Sequence, residues 1–135
     1  MIHVERVGPV SSHLLVAEDS LVIQRLISMC LVAAGIELEF CSDGADAVER
    51  AKADPPSVMV LDIGLPSLDG WAVLRAVRAD PRTSDTPVLM LSGASKDLVQ
   101  QKADELGADA VLSKPFNPDD LRQAVMRLIS HGRAA

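Results

Sequence analysis

The sequence has no tyrosine and only three other aromatic residues, Trp71, Phe40 and Phe116. That leaves little material for stacking nucleic-acid bases or for sandwiching a flavin. Cysteine is scarce too. Cys30 and Cys41 show neither disulfide nor metal-site spacing and read as small core hydrophobes in a reduced, cytoplasmic setting. No cluster of lysine and arginine offsets a net charge of −6, which argues against a nucleic-acid partner. No apolar run approaches the ~20 residues that span a bilayer. The start, Met1-Ile2-His3-Val4-Glu5-Arg6, lacks a signal-peptide pattern. No membrane association is therefore expected.

What remains is 135 residues with 48% hydrophobic and 24% charged content, the composition of a single globular domain with a real core. The most informative stretch is Val58-Met59-Val60-Leu61-Asp62, followed by Gly64, Pro66 and Asp69-Gly70. A continuous apolar run bounded by turn residues reads as a strand buried on both faces, as in a parallel sheet. Sites in open α/β sheets form outside the carboxyl ends of strands. Asp62 is accordingly expected to be presented rather than buried, ahead of a loop that Pro66 stiffens.

Strands and helices alternate around it. Residues 1–12 read as an irregular, mobile tail. His13 to Ala17 is a first strand, ending in Glu18-Asp19-Ser20, two acids and a capping residue. In the helix that follows, Ile23, Leu26, Ile27, Cys30, Leu31 and Ala34 recur at helical spacing, and Gly35 ends it. Ile36 to Cys41 alternates apolar residues with Glu37 and Glu39, the pattern of an edge strand. A second helix starts at Ser42-Asp43-Gly44, turns Ala45, Val48 and Ala51 inward, and stops at Asp54-Pro55-Pro56. A third follows Gly70, with Trp71, Leu74 and Val77 on its inner face and Arg75 and Arg78 off it, until Asp80-Pro81. Pro87 to Ser92 is a fourth strand. Lys96 to Leu106 is a helix polar on most faces, capped by Gly107. Ala110 to Ser113 is the fifth strand, ending in Lys114-Pro115. Asn117-Pro118-Asp119-Asp120 opens the last helix, with Leu121, Val125, Leu128 and Ile129 as its buried stripe. His131 onward reads as a frayed tail. The domain therefore spans 13–131, with residues 132–135 outside it. Five strands alternating with five helices imply βαβ crossovers and a doubly wound parallel sheet of the α/β class.

Four of these strands end in chemistry: Glu18-Asp19, Asp62, Ser92 and Lys114. In a parallel sheet those ends share one edge. Taken singly, Asp62 or Asp19 reads equally as a helix cap, Lys114 as a solvated loop charge, and Ser92 as a strand-end hydroxyl satisfying backbone groups. Together they are harder to dismiss. Three carboxylates at one point repel unless something cancels their charge. Mg²⁺ does this, as a hard cation that prefers oxygen and bridges carboxylate to phosphate. An acid that can act as nucleophile, a Mg²⁺ site, a lysine and a hydroxyl are the equipment for phosphoryl transfer to a carboxylate.

The Glu18-Asp19 pair, the Asp62-x-x-x-Pro66-x-x-Asp69-Gly70 run, the Leu91-Ser92-Gly93 strand end and the Gly107-Ala108-Asp109…Lys114-Pro115-Phe116 segment resemble the receiver domain of two-component response regulators, over roughly residues 13 to 131. The resemblance implies a (βα)5 flavodoxin-like fold with strand order 2-1-3-4-5. It implies that Asp62 accepts a phosphoryl group from a phosphohistidine on a sensor histidine kinase or phosphotransfer protein. Asp19 would ligate Mg²⁺ directly and Glu18 through water, Asp62 would be a metal ligand as well as the acceptor, and Gly64 would offer its backbone carbonyl. Ser92 would be the switch hydroxyl. Lys114 would pair with a phosphoryl oxygen, and the Lys114–Pro115 bond would be cis. Such a chain is a phosphoacceptor rather than an enzyme with turnover. With no room for an output domain after about Ile129, it is expected to act as a stand-alone, chemotaxis-type receiver, binding an output protein or shuttling phosphoryl groups in a relay.

The sequence departs from the family pattern at Val111, where receivers carry Tyr or Phe three residues before the lysine. Signalling is then expected to lean on the first helix, the fourth helix or the loop after the third strand. Gly64 and Ala94 are both small, so neither side chain can position a water at the phosphoryl group. Three other readings are weaker. An aspartyl phosphatase of the haloacid-dehalogenase kind wants a second Asp where Gly64 stands. A flavodoxin-like carrier lacks the aromatics. A pseudo-receiver scaffold that is never phosphorylated would not need all five acceptor-site side chains.

Overall fold

The structure is a computed structural model, and residues 12–133 are described. The expected tail over residues 1–12 falls almost wholly outside that range, as do Ala134 and Ala135. The elements run β1 (His13–Ala17), α1 (Leu21–Leu31), β2 (Glu37–Cys41), α2 (Gly44–Ala53), β3 (Val58–Asp62), α3 (Gly70–Ala79), β4 (Val88–Ser92), α4 (Lys96–Leu106), β5 (Ala110–Ser113) and α5 (Pro118–His131). All strand pairs are parallel, in the order β2-β1-β3-β4-β5. The fold class is the one the strand–helix alternation implies, and the strand order is the one the resemblance implies.

Each strand sends alternate residues to opposite faces. Leu15, Ala17, Met59, Leu61, Val88, Met90 and Val111 pack under α2, α3 and α4. Leu14, Val16, Val58, Val60, Leu89 and Leu91 pack against α1 and α5. Strands β3 and β4 are buried along their whole length, whereas edge strand β2 is mostly half-exposed. Cys30 and Cys41 are buried free thiols.

Caps set the helix starts as expected. Ser20, Asp43, Asp69 and Asn117 each accept a hydrogen bond from a backbone N–H in the first turn of their helix. Gly35 and Gly107 take left-handed φ of 73° and 87°. Helix α1 gives way to a single 3-10 turn over Val32–Ala34, which leaves Ala34 exposed rather than in the buried stripe.

Two assignments of facing change. Ala45 is exposed and Ala47 is buried in its place. Helix α2 begins with Gly44 pressed under the β3–α3 loop, where a Cβ would lie 1.9 Å from the Leu68 carbonyl oxygen. That contact sets the helix phase, so Gly44, Ala47, Val48 and Ala51 face inward. Arg78, expected off the inner face of α3, folds back instead beneath the sheet's amino edge. Its guanidinium donates to the carbonyls of Gly107, Ser84 and Thr86 and to Asp109 Oδ2. Arg133 pairs with Asp109 Oδ1 at 3.1 Å and donates to Gly107 O at 3.2 Å. Residue 133 is thus held against the domain and is no frayed end.

Candidate functional site at the carboxyl edge of the sheet

The parallel sheet gathers the strand ends that the sequence marks. The register places Ala17 beside Leu61 and Asp62 beside Leu91, with Ser92 beside Ser113. Glu18 and Asp19 follow β1 directly, and Lys114 follows β5. Carboxylate oxygens of Glu18, Asp19 and Asp62 all lie within 4.8 Å of one another. Lys114 Nζ sits 2.7 Å from Glu18 Oε1 and 3.1 Å from Asp62 Oδ1. The Lys114–Pro115 bond is cis.

Asp62 is buried, not presented: only 11% of its side chain is exposed. The expectation failed because β3 is the central strand, and the loops after β1 and β5 close over its end. Glu18 is deeper still, fully buried, while Asp19 is exposed at the rim. Glu18 is also firmly held. Its Oε2 accepts from the Ser20 N–H at 2.9 Å, and its backbone N–H donates to the Cys41 carbonyl.

The electrostatics follow from burial. Loss of solvent raises the Glu18 carboxyl above its ordinary range, with Lys114 and the Ser20 N–H pulling the other way. Burial alone would lower the Lys114 ammonium, yet Glu18 and Asp62 beside it carry it above the usual lysine value. One ammonium thus pairs with Glu18 and Asp62 while the Asp19 carboxylate converges beside them, and the cluster carries unmatched negative charge.

Ser92 and Gly64 reach the same edge by different routes. The Ser92 hydroxyl is turned to its own loop, accepting from the Ala94 N–H at 2.9 Å. Gly64 lies in the loop after β3, and an added Cβ there would be 3.9 Å from Asp62 Oδ2. That loop is pinned to its neighbours. The Gly70 N–H bonds the Ile63 carbonyl, and the Gly44 N–H bonds the Pro66 carbonyl. Ser67, in left-handed backbone at φ 64°, accepts from the Ala45 N–H through its hydroxyl. Gly70 is required by space, since a Cβ would fall 2.5 Å from the Asp62 carbonyl oxygen.

The residues fit a small hard cation. The donors are carboxylate oxygens, the choice of Mg²⁺. Glu18 Oε1 is buried against the Lys114 ammonium, 2.7 Å away. Three converging carboxylates beside a single ammonium leave negative charge for a further cation to neutralise. Sequence reasoning missed Gln24, whose amide nitrogen bonds the Glu18 carbonyl oxygen at 2.6 Å. No local pattern marks a side chain that folds back across a helix start.

A doubly wound parallel sheet with an acidic, lysine-bearing pocket at its carboxyl edge defines the class to which the chain is compared. The chain belongs to the response regulator receiver domain family, whose model matches residues 14–126. The chemotaxis response regulator CheY4 of Vibrio cholerae superposes with a TM-score of 0.82 at 31% identity, covering 88% of this chain and 99% of that one. The receiver domain of the sensor histidine kinase PA1611 from Pseudomonas aeruginosa, solved with a magnesium ion coordinated in its active-site cleft, gives 0.81 at 26% identity, covering 90% and 99%. The DNA-binding dual master transcriptional regulator RpaA of Synechocystis is 33% identical over 116 residues, 86% of this chain and 48% of RpaA. The chain spans about half the length of the curated relatives it matches. No helix among the described residues is long and apolar enough to cross a membrane.

Proposed function

We propose that the chain accepts a phosphoryl group on Asp62 from a phosphohistidine of a sensor kinase or phosphotransfer protein, in a Mg²⁺-dependent reaction in the cytoplasm. The observation that carries this reading is the gathering of Glu18, Asp19 and Asp62 around Lys114 at one sheet edge. An Asp62 carboxylate oxygen attacks phosphorus, a P–O bond forms, the P–N bond breaks, and the imidazole leaves and takes up a proton. Glu18, Asp19, Asp62 and the Gly64 carbonyl would hold the cation, which when bound neutralises charge on the carboxylates and the phosphoryl oxygens. Lys114 is already seated against Asp62 and meets a phosphoryl oxygen there. Ser92 would leave the Ala94 N–H to donate to the same group. This is acceptor chemistry with only self-hydrolysis to follow, not enzymatic turnover.

The state of Asp62 is then read by another protein surface. Val111 is buried against the α2–α4 side of the core, so no aromatic ring stands there to turn in or out. Readout falls to α1, α4 or the β3–α3 loop. Helix α4 suits this, since Ala103 is its sole buried residue. The test is intact-protein mass after incubation with acetyl phosphate. A gain of one phosphoryl group that needs both Mg²⁺ and Asp62, and is lost in Asp62→Asn, is expected. A folded protein that gains nothing under any condition would favour the pseudo-receiver scaffold.

A further inference from the structure

We propose that Gln24 is a positioning residue, setting the acidic β1–α1 turn for the cation site. The inference rests on the Mg²⁺-dependent reading above. Glu18 is fixed through its backbone N–H to Cys41 and through its carboxylate to Ser20 and Lys114. Among the described residues its backbone carbonyl is held by Gln24 Nε2, at 2.6 Å. Gln24 also grips the far end of the turn. Its backbone N–H bonds the Ser20 carbonyl at 3.0 Å. One residue in the first turn of α1 therefore ties both flanks of Asp19, by side chain on one side and by backbone on the other.

The consequence is directional. Asp19 itself is exposed at the rim, with nothing in its surroundings to bury it. Where its carboxylate points depends on the peptide planes on either side. The Gln24 amide fixes the plane between Glu18 and Asp19 by holding the Glu18 oxygen. Without that donor the peptide is free to rotate toward water. Asp19 then leaves the position in which it converges with Glu18 and Asp62. Groups that orient metal ligands without touching the metal typically govern affinity by about ten- to a hundredfold.

Two substitutions separate this from simpler accounts. Gln24→Met keeps the length and loses the donor. Gln24→Glu keeps the shape, loses the donor and adds a negative charge close to the site. If Gln24 mattered only through the local field, Gln24→Glu would bind Mg²⁺ more tightly. If it mattered only for packing, the metal-free melting temperature would fall while affinity held. Positioning predicts that both variants weaken Mg²⁺ binding about tenfold, while metal-free melting temperatures stay near wild type.

The experiment is calorimetric titration with MgCl₂ of wild type, both variants and Asp19→Asn, beside thermal unfolding in chelator. Should one variant fail to fold, the other decides alone. Wild type that binds Mg²⁺, with folded variants binding within twofold of it or Gln24→Glu binding more tightly, overturns the inference and leaves the metal reading intact. Wild type that takes up no Mg²⁺ overturns both.

Discussion

The two ends of the sheet use the same ingredients to opposite effect. At the amino edge, the Asp109 carboxylate, 2% exposed, meets two guanidiniums, those of Arg78 and Arg133, and also accepts from the Val88 N–H. Every N–H direction of Arg78 is used: Nε on Gly107 O, one terminal nitrogen on Ser84 O and Thr86 O, the other on Gly107 O and Asp109. At the carboxyl edge, three carboxylates converge beside one ammonium, which pairs with only two of them, Glu18 and Asp62. One cluster is complete as it stands. The other holds together only as far as its framework forces it, and that shortfall is what would suit it to the cation and phosphoryl group proposed above. Buried charge alone therefore does not distinguish a site from a strut. The balance of donors and acceptors around it does.

Breaking the amino-edge cluster gives the largest effect on stability. Arg78→Met removes half of the Asp109 pairing and strands the Thr86 carbonyl, leaving those of Ser84 and Gly107 to Arg133 alone, and about 3 kcal/mol of destabilisation is expected by urea unfolding. Acetyl-phosphate labelling of the folded fraction stays intact. At the carboxyl edge the sign reverses. Asp62→Asn removes one of three repelling acids, so metal-free stability is expected to hold or rise slightly while labelling vanishes. Unfolding in chelator checks this, and a large loss of stability would mean that the cluster is a strut after all. Arg133→Ala, at the half-exposed end of the amino-edge cluster, costs about 1 kcal/mol by the same measurement.

The smallest effect concerns pH. Burial lifts the Cys41 thiol from 9.0 to about 11. The unfolded chain then loses this proton first as pH rises. Stability declines across that interval and is unaffected by this group below it. Cys41→Ala should flatten the alkaline slope of the unfolding free energy between about pH 9 and 11. An unchanged slope would assign it to other groups.

The two clusters were also unequally legible in the sequence. Asp62, Lys114, Ser92 and the Glu18-Asp19 pair each stand where an apolar strand gives way to polar residues. A parallel sheet must bring those breaks to one edge, so strand pattern and topology suffice to assemble them. The amino-edge cluster has no such mark. Helical periodicity puts Arg78 on an outer face, and its partner lies 31 residues away. A long flexible side chain that folds back under the sheet escapes any periodic rule. The burial of Asp62 was misjudged for a related reason: the pattern shows where a strand ends, not which loops close over it. Ala45 and Ala47 changed places because the phase of α2 is set by the contact of Gly44 with Leu68, a tertiary contact.

The most direct test of the contrast is the shift in melting temperature caused by Mg²⁺, measured in parallel on wild type, Arg78→Met and Asp62→Asn. A ligand that binds only the folded state raises stability in proportion to its affinity. The account predicts a similar upward shift in wild type and in Arg78→Met, whatever their starting stabilities, and little or none in Asp62→Asn. Equal shifts in wild type and Asp62→Asn would place the cation elsewhere and contradict the claim that the carboxyl edge is the incomplete one.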